Sequence, residues 1–237
     1  MSAASVGAHE SRGLFVTGTD TGVGKTRVAT ALLRCLVADG VRAVGMKPVA
    51  AGIGPGEAMN ADVAVLMAAG NVAAQHDDVN PFAFAPAIAP HVAAAQAGRS
   101  IDLDAIAAAY ARLASRADVV VVEGAGGALV PLSAHADMLD VALRLGLPVL
   151  LVVGMRLGCL NHALLTALAV SARGLTLAGW IANRIDPGMA EIDANIAALE
   201  ARLPAPLVAD IRWNANGATP VALDRVSLAM LGLARDG

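Results

Sequence analysis

A glycine-rich segment that ends in Lys-Thr is the strongest candidate for chemistry in the sequence. It reads GTDTGVGKT over residues 18–26 and follows the apolar run GLFV. Glycines let several backbone N–H groups point at phosphate oxygens, and a helix start adds its positive end. In such a loop Lys25 would reach the β- and γ-phosphates, and the Thr26 hydroxyl could ligate Mg²⁺. The segment therefore predicts a nucleotide site.

The spacing of this segment departs from the usual phosphate loop, which has four residues between a glycine and Gly-Lys-Ser/Thr. Here five residues separate Gly18 from Gly24, and Thr19 stands where the first glycine belongs. The segment still lies between a predicted strand and a predicted helix, which favours a phosphate site over an ordinary strand-helix turn. The generic pattern leaves the extra residue unexplained.

Two charged residues stand at the ends of other predicted strands. Lys47 could stabilise charge on a transferring phosphoryl group, or it could be a solvated side chain at a strand end. If it is catalytic, its place at a strand end predicts that its removal leaves the core intact. Glu123 follows four valines. A carboxylate buried there needs a cation, for which Mg²⁺ is the natural choice, whereas the alternative is a carboxylate in solvent. Gly124 and Gly126 would then permit a ligand to approach closely.

Other polar and aromatic residues have simpler interpretations. Asp62 opens a predicted helix, where a cap is simpler than a ligand. Asn161 could likewise cap the helix that it begins, and Asp102 could cap a third. Trp180 and Trp213 are interpreted as packing residues.

The elements that must position these residues alternate along the chain between continuous apolar runs and helical stretches. Such runs are typical of strands covered on both faces. Strands are predicted at 13–18, 42–48, 118–124, 148–154, 177–183 and 205–211. Helices are predicted at 26–38, 61–69, 102–115, 137–145, 161–172, 188–202 and 223–234. The alternation predicts a doubly wound α/β fold, with a mainly parallel sheet flanked by helices, and 50–101 is its least regular part.

The Gly-rich and polar motifs all follow predicted strands. These motifs are GTDTGVGKT, KPVAAG, EGAGG, GMRLGCLNH and NRIDPG. Since ligands bind beyond the carboxyl ends of strands in such sheets, the motifs should meet at one edge of the sheet.

The composition limits the other function classes. The 237 residues suit one domain over 13–237, preceded by a disordered lead-in over 1–12. Hydrophobic residues make up 57%, but prolines, glycines and charges interrupt the long apolar runs, so no membrane span is expected. A net charge of −3 implies no broad surface for nucleic acid. Two cysteines and the lack of a signal peptide favour the cytoplasm.

Several motifs resemble those of the dethiobiotin synthetase family. They run in order from about residue 13 to 215. Besides the five-residue gap in the loop, they are KPVA (47–50), VNPF (79–82), PH with AQAGR (90–99), EGAGG (123–127), GCLNHALLTA (158–167), LAGW with AN (177–183) and LPAPL (203–207). The resemblance makes the long loop a family variant and implies a fold of the P-loop NTPase type.

The family joins CO₂, available as bicarbonate, to 7,8-diaminopelargonate (7,8-diaminononanoate) in biotin synthesis. The resemblance therefore implies an ATP-dependent cyclo-ligase that forms C–N bonds, with ATP as co-substrate and Mg²⁺ as cofactor. One amine would capture CO₂ as a carbamate, and the carbamate would attack the γ-phosphate to give a carbamic-phosphoric anhydride. The second amine would then close the ring of dethiobiotin and release phosphate.

The resemblance also assigns roles to residues by position. Lys47 and Lys25 would be catalytic. The metal ligands would be Thr26, Asp62 and Glu123. The substrate would contact Thr21, Lys47, Ala51 and Asn161, the last across a homodimer interface. ATP would contact Gly22, Val23, Gly24, Lys25, Thr26, Arg27, Asp62, Glu123, Gly124, Ala125, Gly126, Asn183, Arg184, Arg212, Trp213 and Asn214.

Three positions depart from the family pattern. Ala51 stands where Ser or Thr often contacts the substrate, so that hydrogen bond must be missing or replaced. Arg212 stands where Pro is common, and Arg184 stands where Asp can occur.

Two other classes share the predicted fold. Non-catalytic ATPase switches carry a signature lysine at the position of Asp20. A small-molecule kinase would transfer phosphate without needing both EGAGG and GCLNH. ATP turnover that requires both diaminopelargonate and bicarbonate would separate the three classes.

Overall fold

A parallel sheet forms the centre of the fold in this computed structural model, which describes residues 12–213 and 223–234. Its strands are β1 (Arg12–Gly18), β2 (Ala43–Met46), β5 (Val119–Glu123), β6 (Val149–Met155), β7 (Leu177–Arg184) and β8 (Leu207–Ile211). They are ordered β2-β5-β1-β6-β7-β8, and each neighbouring pair is parallel. A separate parallel pair consists of β3 (Val49–Ala51) and β4 (Phe82–Phe84). The predicted α/β fold with a mainly parallel sheet is confirmed.

Helices connect the strands, as parallel pairing requires. They are α1 (Lys25–Ala38), α2 (Ala61–Ala69), α3 (His76–Val79), α4 (Pro90–Gln96), α5 (Leu103–Ala114), α6 (Met138–Leu145), α7 (Cys159–Ala172), α8 (Ile192–Glu200) and α9 (Arg225–Met230). Every predicted helix is present, with ends that shift by a few residues.

The valines of β5 explain why the strands are apolar without alternation. Val120 and Val122 pack in one hydrophobic cluster with Phe15, whereas Val119 and Val121 pack in a second cluster. All four valines are 0% exposed, because helices cover both faces of the sheet. Fully burying one such side chain contributes roughly 1.5–3 kcal/mol. Glu123 is the last residue of this strand and is buried with the valines.

The helix starts only partly follow the sequence predictions. Asp102 accepts a hydrogen bond at the start of α5 and caps it as predicted. The cap of α2 is Asn60 rather than Asp62, so the interpretation of Asp62 as a cap is wrong. Helix α7 begins at Cys159 after Gly158, which has a φ of 95°, so Asn161 does not cap it. Glycine adopts this left-handed backbone without strain.

The segment 50–101, predicted as the least regular, contains several short elements. Strands β3 and β4 pair in it, and α4 follows with Pro90 in its first turn. The Arg99 guanidinium lies 5.5 Å from the Phe82 ring and 5.4 Å from the Phe84 ring, and both are cation–π contacts. Elements of three to seven residues carry too little periodicity to be predicted.

The structure tests only some of the expectations that were drawn from the composition. No helix within the described ranges is long and apolar enough to cross a membrane. Cys35 and Cys159 are free thiols. Residues 1–11 of the predicted lead-in lie outside the described residues, whereas Arg12 already belongs to β1. The division into a lead-in and a single domain stays a prediction.

Candidate active site

A cavity of about 760 Å³ opens beyond the carboxyl ends of β1, β2 and β5. This is the edge at which the motifs were expected to meet. The predicted site residues that line it are Thr21, Gly22, Gly24, Lys25, Thr26, Arg27, Lys47, Ala51, Asp62, Glu123, Ala125 and Gly126. In the part of the chain that the structure describes, Val23, Gly124, Asn161, Asn183, Arg184, Arg212 and Trp213 do not line this cavity.

The glycine-rich loop wraps around the start of α1. Gly22 and Gly24 have φ values of 74° and 95°, which L side chains rarely adopt. A Cβ at Gly24 would lie 2.3 Å from Asn183 Nδ2, so the close packing of this loop on β7 also requires glycine. The loop places Lys25 at the first position of α1, where backbone N–H groups and the helix dipole favour an anion.

Lys25 is buried and its ammonium is held by the loop itself. Its Nζ donates a 2.9 Å hydrogen bond to the backbone carbonyl of Asp20. Burial lowers the pKa of Lys25 to about 8, and the Glu123 carboxylate only partly opposes that shift. A phosphate group would replace the carbonyl with a stronger partner, because charge-assisted hydrogen bonds are roughly twice as strong as neutral ones.

Lys47 lies between two carboxylates. Its Nζ is 2.6 Å from Glu123 Oε1 and 2.8 Å from Asp62 Oδ2, and the residue is only 5% exposed. Burial lowers the pKa of Lys47, but the charges of Glu123 and Asp62 outweigh it, and the net direction is upward. Lys47 is therefore a buried cation, and its interpretation as a solvated strand end is wrong.

Glu123 is fully buried, as its place after four valines suggested. It forms an ion pair with Lys47. Burial raises the pKa of Glu123, whereas Lys47 acts in the opposite direction. Burial also raises the pKa of Asp62, but Lys47 outweighs this effect, so the net direction is downward. The interpretation of Glu123 as a carboxylate in solvent is wrong.

The donor set around Glu123 fits Mg²⁺. The Thr26 hydroxyl donates a 2.8 Å hydrogen bond to Glu123 Oε1, and Glu123 Oε2 is buried without a hydrogen-bond partner among the described residues. Asp62 lines the same cavity. Mg²⁺ usually takes one or two carboxylates and completes its shell with phosphates and water, and Glu123 and Asp62 could supply the carboxylates.

The loop after β5 also lines the cavity. Gly126 has a φ of 66°, and a Cβ at this position would lie 2.7 Å from a Val130 methyl group. Gly124 is packed against Phe15 and donates its N–H to the Val16 carbonyl. Gly124 therefore shapes the loop, while Gly126 lines the cavity.

The residues expected near the nucleotide base lie beside the loop on β7 and after β8. Asn183 is buried, and its Nδ2 donates to the Val23 carbonyl at 2.7 Å. Asn183 Oδ1 is buried without a partner within the described residues, so an amide oxygen remains to be satisfied there. Arg184 is held by Asp210 and Asp193.

The two tryptophans differ in their surroundings. Trp180 is 0% exposed and packs as predicted. Trp213 is 48% exposed, so its interpretation as a packing residue is wrong. Arg212 is exposed beside it, and Asn214 lies outside the described residues.

An apolar wall, which sequence reasoning missed, lines the same cavity as the charged cluster. Besides Ala51 it contains Ala87, Ile88, Pro90 and Val130. Its members have no chemistry of their own, and the only sequence signal was the uncharged segment 79–98. The cavity therefore combines charged groups with an apolar surface suited to an aliphatic chain.

Nucleotide affinity is expected to fall above about pH 8, the pKa of Lys25 in the ligand-free protein. Below this pH Lys25 carries its charge; above it, binding must first take up a proton, which weakens affinity by up to about tenfold per pH unit. Calorimetry with ADP across this range measures the effect. In Lys25→Arg the charge persists, so its affinity should stay flat. A flat profile for the unaltered chain would contradict the lowered pKa.

Comparisons with known proteins identify the family and the fold of this chain. A family model described as an AAA domain matches residues 12–220. Two solved structures are similar in fold: MinD, the septum site-determining protein of Pyrococcus horikoshii (TM-score 0.56, 16% identity, 94% of this chain and 86% of that one), and a ParA family ATPase of Chlorobium tepidum (TM-score 0.55, 14% identity, 95% and 90%). At these low identities the two structures show similarity of fold alone.

Relatives found by sequence share a much higher identity with this chain than these two structures do. An ATP-dependent dethiobiotin synthetase of Nitrosospira multiformis is 53% identical over 94% of this chain and 97% of the relative. One from Aromatoleum aromaticum is 55% identical over 84% and 89%, and one from Xylella fastidiosa is 47% identical over 88% and 93%. Because the matches run through nearly all of both chains, this protein belongs to the ATP-dependent dethiobiotin synthetase family.

Proposed function

We propose that this chain is a ligase that uses ATP and Mg²⁺ to convert 7,8-diaminopelargonate and CO₂ into dethiobiotin, ADP and phosphate. The observation that carries the proposal is the buried Lys47 between Glu123 and Asp62, in the same cavity as the Lys25 loop and an apolar wall. The cavity thus offers a phosphate end, a cation and a surface for an aliphatic chain. We also infer a cytoplasmic location from the two free thiols.

The phosphate loop would hold ATP. Lys25 would leave the Asp20 carbonyl for the β- and γ-phosphates, and the backbone around Gly22 and Gly24 would supply N–H donors. Thr26, Asp62 and Glu123 would hold Mg²⁺, which when bound neutralises phosphate charge during transfer. Asn183, with an unpaired amide oxygen in the described region, would face the adenine amino group.

Lys47 would act by its charge. An amine of the substrate combines with CO₂ to give a carbamate and a proton, and the carbamate oxygen then forms a bond to the γ-phosphorus as ADP leaves. The second amine attacks the carbamate carbon, loses a proton and expels phosphate. Negative charge moves between carbamate and phosphate in both later steps. Because its pKa is raised, Lys47 stays protonated and would stabilise that charge rather than remove a proton.

The apolar wall would hold the aliphatic chain of the substrate. Ala51 stands where a hydroxyl residue is common in the family and has no side-chain hydroxyl for the substrate. The backbone at this position is held by Asn60. The Asn60 Nδ2 donates to the Gly52 carbonyl at 2.8 Å and lies 3.4 Å from the Ala51 carbonyl. We infer that the Ala51 methyl group packs on the chain and that Thr21, at the mouth of the cavity, contributes a polar contact.

A homodimer would complete the substrate site. Asn161 is exposed on α7 and lies outside the cavity of its own subunit. The same helix exposes Leu165 (56%) and Leu168 (65%), and Leu157, just before it, is 93% exposed. Exposed leucines clustered on one helix favour a protein interface. We infer that this helix packs on a second copy, so that Asn161 reaches the carboxylate of the substrate in the partner subunit.

Replacing Leu168 with Glu is expected to yield a monomer that retains ADP binding and loses most dethiobiotin formation. A charge placed in an apolar interface must be desolvated, which costs far more than the lost contacts. Sedimentation and product assays measure the two effects. Val226→Glu is the matched control, because Val226 is 66% exposed on α9, an element that the proposed interface does not include. A fully active Leu168→Glu monomer would argue against the shared site.

The two other classes of the same fold predict different turnover. A switch ATPase would hydrolyse ATP without diaminopelargonate, and a kinase would not require bicarbonate. The dethiobiotin synthetase needs both, because the carbamate is the nucleophile that attacks ATP. ADP release should therefore occur only when both substrates are present. ADP release that persists after either substrate is omitted would overturn the proposal.

A further inference from the structure

The extra residue in the phosphate loop is accompanied by contacts with the neighbouring strand. The Thr19 backbone N–H donates to the Val152 carbonyl of β6 at 3.0 Å. The Gly154 N–H of the same strand donates to Thr19 Oγ1 at 3.4 Å. These two hydrogen bonds attach the longer loop to β6 before the chain turns towards α1.

Asp20, the next residue, makes three polar contacts in different directions. Its Oδ1 accepts from the Thr21 N–H at 2.7 Å, and its Oδ2 accepts from the Arg156 guanidinium just after β6. Its backbone carbonyl accepts from Lys25 Nζ at 2.9 Å. One residue thus joins the loop, the end of β6 and the phosphate-binding lysine.

We propose that Asp20 and Arg156 form a latch that holds the long phosphate loop in its nucleotide-binding conformation. Both are positioning residues, which act on the phosphates through the backbone of the loop. A loop with an additional residue loses more conformational entropy when it is ordered. A latch that orders the loop before the nucleotide arrives removes that cost from binding. The inference rests on the proposed function only for the identity of the nucleotide.

The latch is more than an isolated surface ion pair. The side chains of Arg156 and Asp20 are 43% and 47% exposed, and a pair so exposed contributes little by itself. Here the carboxylate is also fixed by the Thr21 N–H, and the adjoining Thr19 is bonded to β6. Because several contacts converge on one short segment, losing the ion pair should loosen the loop rather than the fold.

The latch also connects the nucleotide site with the proposed dimer face. Arg156 is followed within three residues by Cys159, the first residue of α7, and α7 carries Asn161. Gly158, between them, has a φ of 95° and permits the turn into the helix. The segment between β6 and α7 positions the start of α7. Arg156, which lies in this segment, therefore links it to the phosphate loop.

The test is ADP affinity of the full chain by calorimetry. We expect Asp20→Asn and Arg156→Gln each to weaken ADP binding about fivefold, a magnitude set by the upper range for such pairs. The double variant should be no weaker than either single one, since both break the same contact. Arg156→Lys should recover most of the affinity. The matched control is Arg144→Gln, which breaks an exposed ion pair with Asp104, neither of which lines the cavity, and which should bind ADP normally.

Turnover separates positioning from direct contact with the reacting groups. In both latch variants the KM for ATP should rise with the ADP dissociation constant, while kcat stays within about twofold of its original value. Unchanged ADP affinity in Arg156→Gln, additive effects in the double variant, or a large loss of kcat would each overturn the latch. If the unaltered chain bound ADP but made no dethiobiotin, the proposed function alone would fail.

Discussion

Lys47→Gln is expected to lower dethiobiotin formation by about 10²–10³-fold, the usual loss when one preorganised electrostatic contact to a transition state is removed. ADP binding should persist, because the phosphate loop and Lys25 stay intact. The substituted amide can still donate to Glu123 but carries no charge. Steady-state product assays beside ADP calorimetry measure both effects. Turnover within a few-fold of the unaltered enzyme would refute the catalytic role of Lys47.

The same substitution should also lower the melting temperature, contrary to the expectation for a strand-end lysine. Lys47 is 5% exposed, and without it the buried Glu123 loses its cation. Burial raises the pKa of Glu123, and without Lys47 this pKa would rise further. A carboxyl group with a raised folded-state pKa contributes stability below its unfolded pKa and loses it as pH rises through the folded pKa. The deficit should therefore grow from acidic to neutral pH.

Arg144→Gln is the matched control for Lys47→Gln. It removes a cation from an exposed pair and should change neither turnover nor melting temperature appreciably. A melting deficit of Lys47→Gln that shrank as the pH rose would contradict the burial argument, even if turnover fell as expected.

Glu123→Gln is expected to lower turnover by about 10²-fold or more, since a metal at a transferring phosphate is worth several kcal/mol. The amide keeps an oxygen for the Thr26 hydroxyl and for Lys47, so the local packing should survive. Its loss of charge removes a ligand that Mg²⁺ needs. The Mg²⁺ concentration that gives half-maximal turnover should therefore rise strongly.

A magnesium titration of ATP turnover measures this effect, with Glu200→Gln as the matched control. Glu200 is exposed at the end of α8, far from the cavity, and its replacement should leave the titration unchanged. A Glu123→Gln variant with normal turnover and a normal Mg²⁺ requirement would show that Glu123 is only the structural partner of Lys47.

The sequence predicted the sheet because its strands are buried on both faces. The four valines of β5 and the run at 148–154 are continuous apolar segments, and each ends at a charged or Gly-rich motif. That pattern also predicted the edge where the motifs meet. By contrast, the pairing of β3 with β4 depends on contacts between segments more than 30 residues apart, such as Val49 with Phe82. No local periodicity reports such contacts.

The protonation and partners of the site residues could not be predicted from the sequence. From residue type alone, Lys47 could be either solvated or catalytic. Its burial depends on its contacts with Asp62 and Glu123, which lie on other elements of the fold. Asp62 was assigned to a cap for the same reason. The apolar wall was missed, since alanines and prolines in a loop resemble ordinary connections until a cavity forms beside them.

The latch was also beyond sequence reasoning. Asp20 and Arg156 are separated by 136 residues and meet only because β1 and β6 are neighbours in the sheet. The resemblance explained the long loop as a family variant, whereas the contacts of Thr19 and Asp20 give it a physical reason.

The most direct test of the proposed function follows the carbon of bicarbonate. The enzyme is incubated with ATP, Mg²⁺, diaminopelargonate and ¹³C-labelled bicarbonate, and the products are measured by mass spectrometry. If the proposed function is right, dethiobiotin carries one ¹³C atom in its ureido carbonyl and forms in equal amount to ADP. Phosphorylated diaminopelargonate, or ADP formed without labelled dethiobiotin, would contradict it.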